Sequence, residues 1–168
     1  MKAISLWQPW ASALFIVLPD GSRLKTNETR GWATKHRGRL AIHAAKTFPS
    51  EAKSFTQNER AFGRLPDVYP LFTYGAIIGT VNVLGMRRTE DIVSQVSALE
   101  RLYGDYSPGR WAWITSDQIL FDEPIPFKGK QGFFNVPDEI LPHINPADIC
   151  TDRELLSKAR AMSGEELF

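Results

Sequence analysis

Residues 21–46 read GSRLKTNETRGWATKHRGRLAIHAAK. From Arg23 to Lys46 this stretch holds seven basic side chains and one acid, Glu28. The whole chain carries 20 Lys+Arg against 19 Asp+Glu, so the remainder is net acidic. Positive charge crowded into one window, interleaved with Trp32, His36 and His43, suits a polyanion or a nucleobase better than a neutral metabolite. A solvated basic hairpin is the plainer reading of the same pattern. The window also sets the fold class. A Thr-rich polar segment, Lys25 to Trp32, reads as a strand with Glu28 and Arg30 on one face. Lys25 joins them if it precedes the regular strand or a bulge re-aims it. Arg37-Gly38-Arg39 makes a turn, and Leu40 to Ala45 forms a compact strand. Leu40, Ile42 and Ala44 share one face there, and His43 points the other way beside Arg39 and Ala41. His43 is then either a hydrogen-bonded structural residue or part of a pocket wall.

The length, 168 residues, is most simply one domain, and 43% apolar content supports a core without covalent staples. The single cysteine, Cys150, rules out an internal disulfide and a multi-cysteine zinc site. The apolar run Ala13 to Leu18 is too short to span a bilayer, and Pro19-Asp20-Gly21 replaces a leader cleavage site. A cytoplasmic protein with no membrane partner is expected.

Outward from the window, Lys2 to Leu6 reads as an opening strand. Pro9 fits the first turn of a helix whose face carries Trp10, Ala13, Leu14 and Val17. Trp7 and Trp10 at that helix entrance are core, lid or ligand-facing rings. Ser50 to Phe62 reads as one helix with Ser50 as N-cap, and Gly63 to Tyr74 as a loop. Gly75 to Met86 is a strand in which Gly79 marks a bulge or a close backbone approach. Thr89 to Tyr103 reads as a helix, and Gly109 to Ile114 as a strand with Trp111 and Trp113 on one face. Ile119 to Lys128 is strand-like, but Pro124 and Pro126 make it an edge or an irregular connection. Lys128 to Gly132 is a second basic turn, and Phe133 to Val136 a closing strand. Thr151 to Glu154 matches a capping box before a charged helix ending near Met162. Two segments result: a body over residues 1–144 and a helical extension over 145–168. The fold class is mainly β with flanking helices (α+β), a small and mostly antiparallel barrel, because regular strand–helix repeats and a Gly-rich phosphate loop are missing.

Catalytic signatures are sparse. There is no G-x-S-x-G elbow and no H-x-E with a paired cysteine motif, which excludes a zinc deaminase. His36, His43 and His143 lack metal-ligand spacing, so neither a metal nor another cofactor is expected. Lys25, Glu28 and His43 remain as acid/base candidates.

The quoted residues, together with MKAISLWQPWASAL at the N-terminus, Gly75 to Gly85, Gly109 to Ile114 and Pro124 to Asn135, resemble the ASCH domain of the PUA-like superfamily. The signature of that family, K-x-x-E-x-R after a glycine, is met by Lys25, Glu28 and Arg30, with a longer spacer after Gly21. The resemblance implies a small, six-stranded or similar β-barrel with a cleft beside the first helix. It implies RNA more than DNA, or a modified nucleobase, as the ligand of that cleft. Some small ASCH proteins hydrolyse acetylcytidine with the signature lysine, a threonine and a distal glutamate, and a nuclease activity has been attributed to another. Lys25 matches the lysine; Glu28 stands at the threonine's place, and Glu90 is the candidate for the distal glutamate. The expected catalytic pair is therefore Lys25 and Glu28. The expected binding set is Trp7, Gln8, Trp10, Lys25, Glu28, Arg30, Trp32, Arg37, Arg39, His43, Lys46 and Trp111. The expected partner is RNA, DNA or a modified nucleoside, with an amidohydrolase or ribonuclease as the alternative to a binding module.

Overall fold

The computed structural model describes residues 1–63 and 72–144. The capping-box helix expected after Thr151 lies outside the described residues. The strands are β1 (Lys2–Leu6), β2 (Asn27–Arg30), β3 (Gly38–Ala44), β4 (Ala76–Arg88), β5 (Trp111–Pro126) and β6 (Phe133–Asn135). They form one six-stranded sheet in the order β2-β5-β4-β3-β1-β6, which curls into a half-barrel. Only β1 and β3 pair in parallel; every other neighbouring pair is antiparallel. The fold class read from the sequence is the one observed.

The curl has a local cause. The β4–β5 ladder shifts register at three places, and the β3–β4 ladder shifts between Ile42 and His43. Extra residues on one strand bend it and increase its twist. Gly79 sits at one of these shifts, and a Cβ there would come within 2.3 Å of the Ile119 carbonyl and 2.7 Å of the Phe15 ring. Both readings of Gly79, bulge and close approach, hold. One face of the sheet buries Leu6, Leu14, Ile42, Val81 and Trp113 in a core cluster. The other face packs Ala41, Ile77, Phe121 and Phe134.

Several element boundaries differ from the sequence reading. The first helix, α1 (Trp10–Ala13), is a single turn, with Pro9 in the N-cap position. Val17 is exposed and bridges Arg23 instead of continuing the helical face. The helix expected over 50–62 divides into α2 (Ser50–Thr56) and α3 (Glu59–Phe62), and Pro49, not Ser50, is the N-cap of α2. Asn58 causes the break: its side-chain oxygen accepts from the Arg60 and Ala61 amides and restarts the helix. Ser97 does the same between α4 (Thr89–Ile92) and α5 (Ala98–Leu102), accepting from the Glu100 amide. β5 is one strand of 16 residues that runs through Pro124. Its β2 neighbour pairs only with Trp111 to Ile114, so the stretch containing the prolines has one open edge, where a missing N–H breaks no ladder bond.

Candidate functional site

β2 starts two residues later than its Thr-rich sequence suggests. Glu100, buried on α5, accepts hydrogen bonds from the Thr26 amide at 2.7 Å and the Asn27 amide at 2.8 Å. It also takes the Asn27 side-chain amide at 3.2 Å. A carboxylate that captures two successive amides turns the chain ahead of the strand. Lys25 consequently lies outside the regular alternation and swings onto the face of Glu28 and Arg30.

The three signature side chains form a line. Lys25 Nζ lies 3.1 Å from Glu28 Oε2, and Glu28 Oε1 lies 3.0 Å from Arg30 Nε. Lys25 is 1% exposed and also donates to the Asn27 carbonyl at 2.6 Å and the Tyr103 carbonyl at 3.2 Å. All three of its N–H bonds therefore have acceptors. Arg30 is different. Its Nε is buried and, despite the short distance to Glu28, lies off the line of a hydrogen bond. Its guanidinium makes one longer bond, to the Ser5 carbonyl at 3.4 Å.

This line walls a cleft of about 800 Å³ beside α1. Trp7, Trp10 and Trp32 line it, with Trp7 half exposed and Trp32 39% exposed. Trp10 is braced by stacking on Phe55, and Trp32 by edge contacts to Trp113 and Phe133. The far side comes from residues the sequence reading did not single out: Tyr103, Gly104, Asp105, Arg110, Lys130 and Gln131. Hydrogen bonds from the Ser107 hydroxyl and amide hold the Asp105 carboxyl below its ordinary range, with Arg110 adding to the effect. The cleft thus carries four cations, Lys25, Arg30, Arg110 and Lys130, against two carboxylates, Glu28 and Asp105.

Other members of the expected binding set lie elsewhere. Gln8 is fully buried, donates to the Thr73 carbonyl and accepts from the Ser12 amide, so it is a structural brace. Trp111 packs against the core with the Arg88 guanidinium 4.0 Å over its ring, and does not line the cleft. Arg39 reaches the Asp117 carbonyl on β5, and Arg23 the Phe15 carbonyl. Glu90 is exposed and accepts from the Gly109 amide, which removes it as a distal glutamate of this cleft. His43 is buried; its Nε2 donates to the Phe127 carbonyl at 2.9 Å, which leaves Nδ1 to accept from the Ser5 hydroxyl at 3.0 Å. Burial lowers its pKa. It belongs to a second hollow together with Lys46, while Arg37 belongs to a third.

The expectation of one groove holding the whole basic window is therefore corrected. Arg23 and Arg39 reach backbone carbonyls and line none of these hollows, and the remaining cations divide among three adjoining hollows. Register explains this, since each bulge or strand start re-aims the side chains beyond it. Among the described residues no cluster of three or more metal-ligating side chains occurs, and no helix is long and apolar enough to cross a membrane.

No protein-family model and no curated protein sequence matches the chain. Among solved structures, its neighbours are ASCH proteins. The ASCH protein of Zymomonas mobilis is 18% identical with a TM-score of 0.48, covering 82% of this chain and 88% of that one. Two point variants of the same protein give TM-scores of 0.48 and 0.47 at 18% identity, covering 82% of this chain and 91% and 89% of theirs.

Proposed function

We propose that the chain binds nucleic acid, RNA in preference to DNA, by taking one nucleotide unit or a modified nucleobase into the cleft of Lys25, Glu28 and Arg30. The observation that carries this reading is Arg30. Its buried Nε has no hydrogen bond, and its guanidinium faces a hollow flanked by two exposed indoles. A planar donor group between stacking surfaces suits the edge and face of a base. Asp105 and Gln131 supply an acceptor and a donor for a ribose 2′-hydroxyl. Lys25 serves the site by fixing Glu28, and Glu28 by orienting Arg30.

Tryptophan-fluorescence titration with short RNA and DNA is the experiment. RNA is expected to bind more tightly than DNA at low salt. Trp7→Ala is expected to remove about 1–3 kcal/mol of binding, one stacking interaction. Absence of binding at low salt, or affinity unchanged in Trp7→Ala and Arg30→Ala together, overturns the reading.

A second reading, hydrolysis of a modified nucleoside or cleavage of RNA in the same cleft, is favoured by the carboxylate on its wall. With every N–H of Lys25 engaged, Glu28 rather than Lys25 is the group with lone pairs to receive a proton from water. Incubation with acylated nucleosides and with RNA, read by mass change, decides it. Turnover abolished in Glu28→Gln supports this reading, and the absence of turnover sets it aside.

A further inference from the structure

Two further hollows adjoin the cleft, and their charge differs from its own. The first, about 730 Å³, is lined by Lys46, Lys128 and Lys130 and by no carboxylate. The second, about 660 Å³, is lined by Lys2, Lys35 and Arg37, again with no carboxylate. Both adjoin the central cleft through shared walls. Ser5, Ala45, Lys130 and Gln131 line the cleft and the first hollow, and Trp32 lines the cleft and the second. The arrangement is a mixed-charge centre between two purely cationic basins.

The basins have fixed frames. Phe127 to Gln131 form one wall of the first, anchored where the Phe127 carbonyl accepts from His43. Gly129 lies so close to the His43–Ser5 pair that a Cβ there would meet the imidazole at 2.4 Å. Lys128 and Lys130 flank Gly129 in the chain and both line this hollow, and Lys46, Lys128 and Lys130 have no ion-pair partner among the described residues. In the second basin Arg37 donates to the Thr34 and His36 carbonyls, which pins its guanidinium on the wall.

We propose that these two acid-free basins seat the backbone phosphates on either side of the nucleotide held in the cleft, so that the ligand is an internal unit of a single strand rather than a free nucleoside. This rests on the nucleic-acid reading of the cleft. The charge pattern sorts the parts of the ligand. A phosphate beside Glu28 or Asp105 meets a like charge and is repelled by it. The base and sugar carry no charge and suffer no such repulsion. Phosphates are attracted instead to the neighbouring basins, where lysines release counterions on contact.

The experiment compares a mononucleotide, a trinucleotide and a mixed-sequence octanucleotide of RNA, titrated against the full chain over a range of salt. Two double variants, Lys46→Ala/Lys128→Ala and Lys35→Ala/Arg37→Ala, and their fourfold combination are titrated with the octanucleotide; thermal melts establish that each is folded. The octanucleotide is expected to bind at least about tenfold more tightly than the mononucleotide at low salt. Each double variant is expected to flatten its log affinity–log salt slope by about 1.4, two single-strand contacts at ~0.7 each. An octanucleotide that binds no more tightly than a binding mononucleotide overturns the basin proposal and leaves the cleft reading standing. So does a fourfold variant with unchanged slope and affinity. If no species binds wild-type protein, both fall together.

Discussion

Lys25 Nζ and Glu28 Oε2 lie 3.1 Å apart at the entrance to β2, with the lysine 1% and the glutamate 12% exposed. This is a shielded pair rather than a surface one, so removal of one partner leaves the other charge poorly solvated. Lys25→Met is expected to cost about 3 kcal/mol, the low end for breaking a buried pair because Arg30 still faces Glu28. Adding Glu28→Gln is expected to recover about 1 kcal/mol of that loss. Urea unfolding of the two single variants and the double variant measures both values. Simple additivity would show that the two side chains are not coupled.

Glu100 is the residue on which the placement of Lys25 depends. It accepts from the backbone of Thr26 and Asn27 in a buried setting, and the Thr26 hydroxyl donates to it as well. Burial, then the Glu100 carboxylate, pushes the nearby Tyr106 hydroxyl upward in pKa. Glu100→Ala strands two amides and is expected to destabilise by about 3 kcal/mol, whereas Glu100→Gln keeps one acceptor and is expected to lose about half as much. Faster hydrogen exchange at Thr26 and Asn27 in Glu100→Gln is the accompanying local signature. Unchanged exchange at those amides would refute the clamp.

How much of this was legible beforehand follows from what kind of property each feature is. The K-x-x-E-x-R spacing is local, so Lys25, Glu28 and Arg30 could be named from it, and the neighbouring tryptophans with them. Asp105, Arg110, Lys130 and Gln131 come from segments some 80 to 100 positions away, brought over by the β2–β5 and β1–β6 pairings. The basic turn over Lys128 to Gly132 is legible as a turn, but no short-range pattern assigns any of the four to this cleft. Charge density is readable in a sequence, but the direction of each charge is not. Arg39 and His43 stand on the same strand, yet the bulge after Ile42 separates their destinations. Asn58 and Ser97, which divide the expected helices, carry the composition of caps and could have been read as such.

Gly79 tests the curl of the sheet. An added methyl would meet the Ile119 carbonyl at 2.3 Å and the Phe15 ring at 2.7 Å, and backbone cannot step aside as a flexible side chain can. Gly79→Ala is expected to destabilise by about 3 kcal/mol, at the upper range for overpacking. Gly21→Ala is the contrast. Nothing lies within 4 Å of its added carbon, although its φ of +83° is strained for alanine. A loss of about 1 kcal/mol is expected there. Thermal melts of the two variants compare them, and equal losses would remove the close approach as the reason for glycine at position 79.

Two histidines give the fold a defined response to acid. His43 and His36 both have pKa values lowered from 6.5, in each case mainly by burial. Lys2 and Arg37 press His36 further in the same direction, against its hydrogen bond to the Arg39 carbonyl. In the unfolded chain both imidazoles take up a proton near the ordinary 6.5, while the folded chain resists until lower pH. Within that window the unfolded state binds more protons, so stability rises with pH. The contribution is complete above about pH 6.5 and is lost as pH falls toward the depressed folded values. Melting temperatures between about pH 7.5 and pH 5.5 are expected to fall, and the fall to be shallower in His36→Gln/His43→Gln. The slope, not the level, is the readout, because His43→Gln also disturbs the anchor at Phe127. An identical slope in the double variant would assign the acid response to the carboxylates instead.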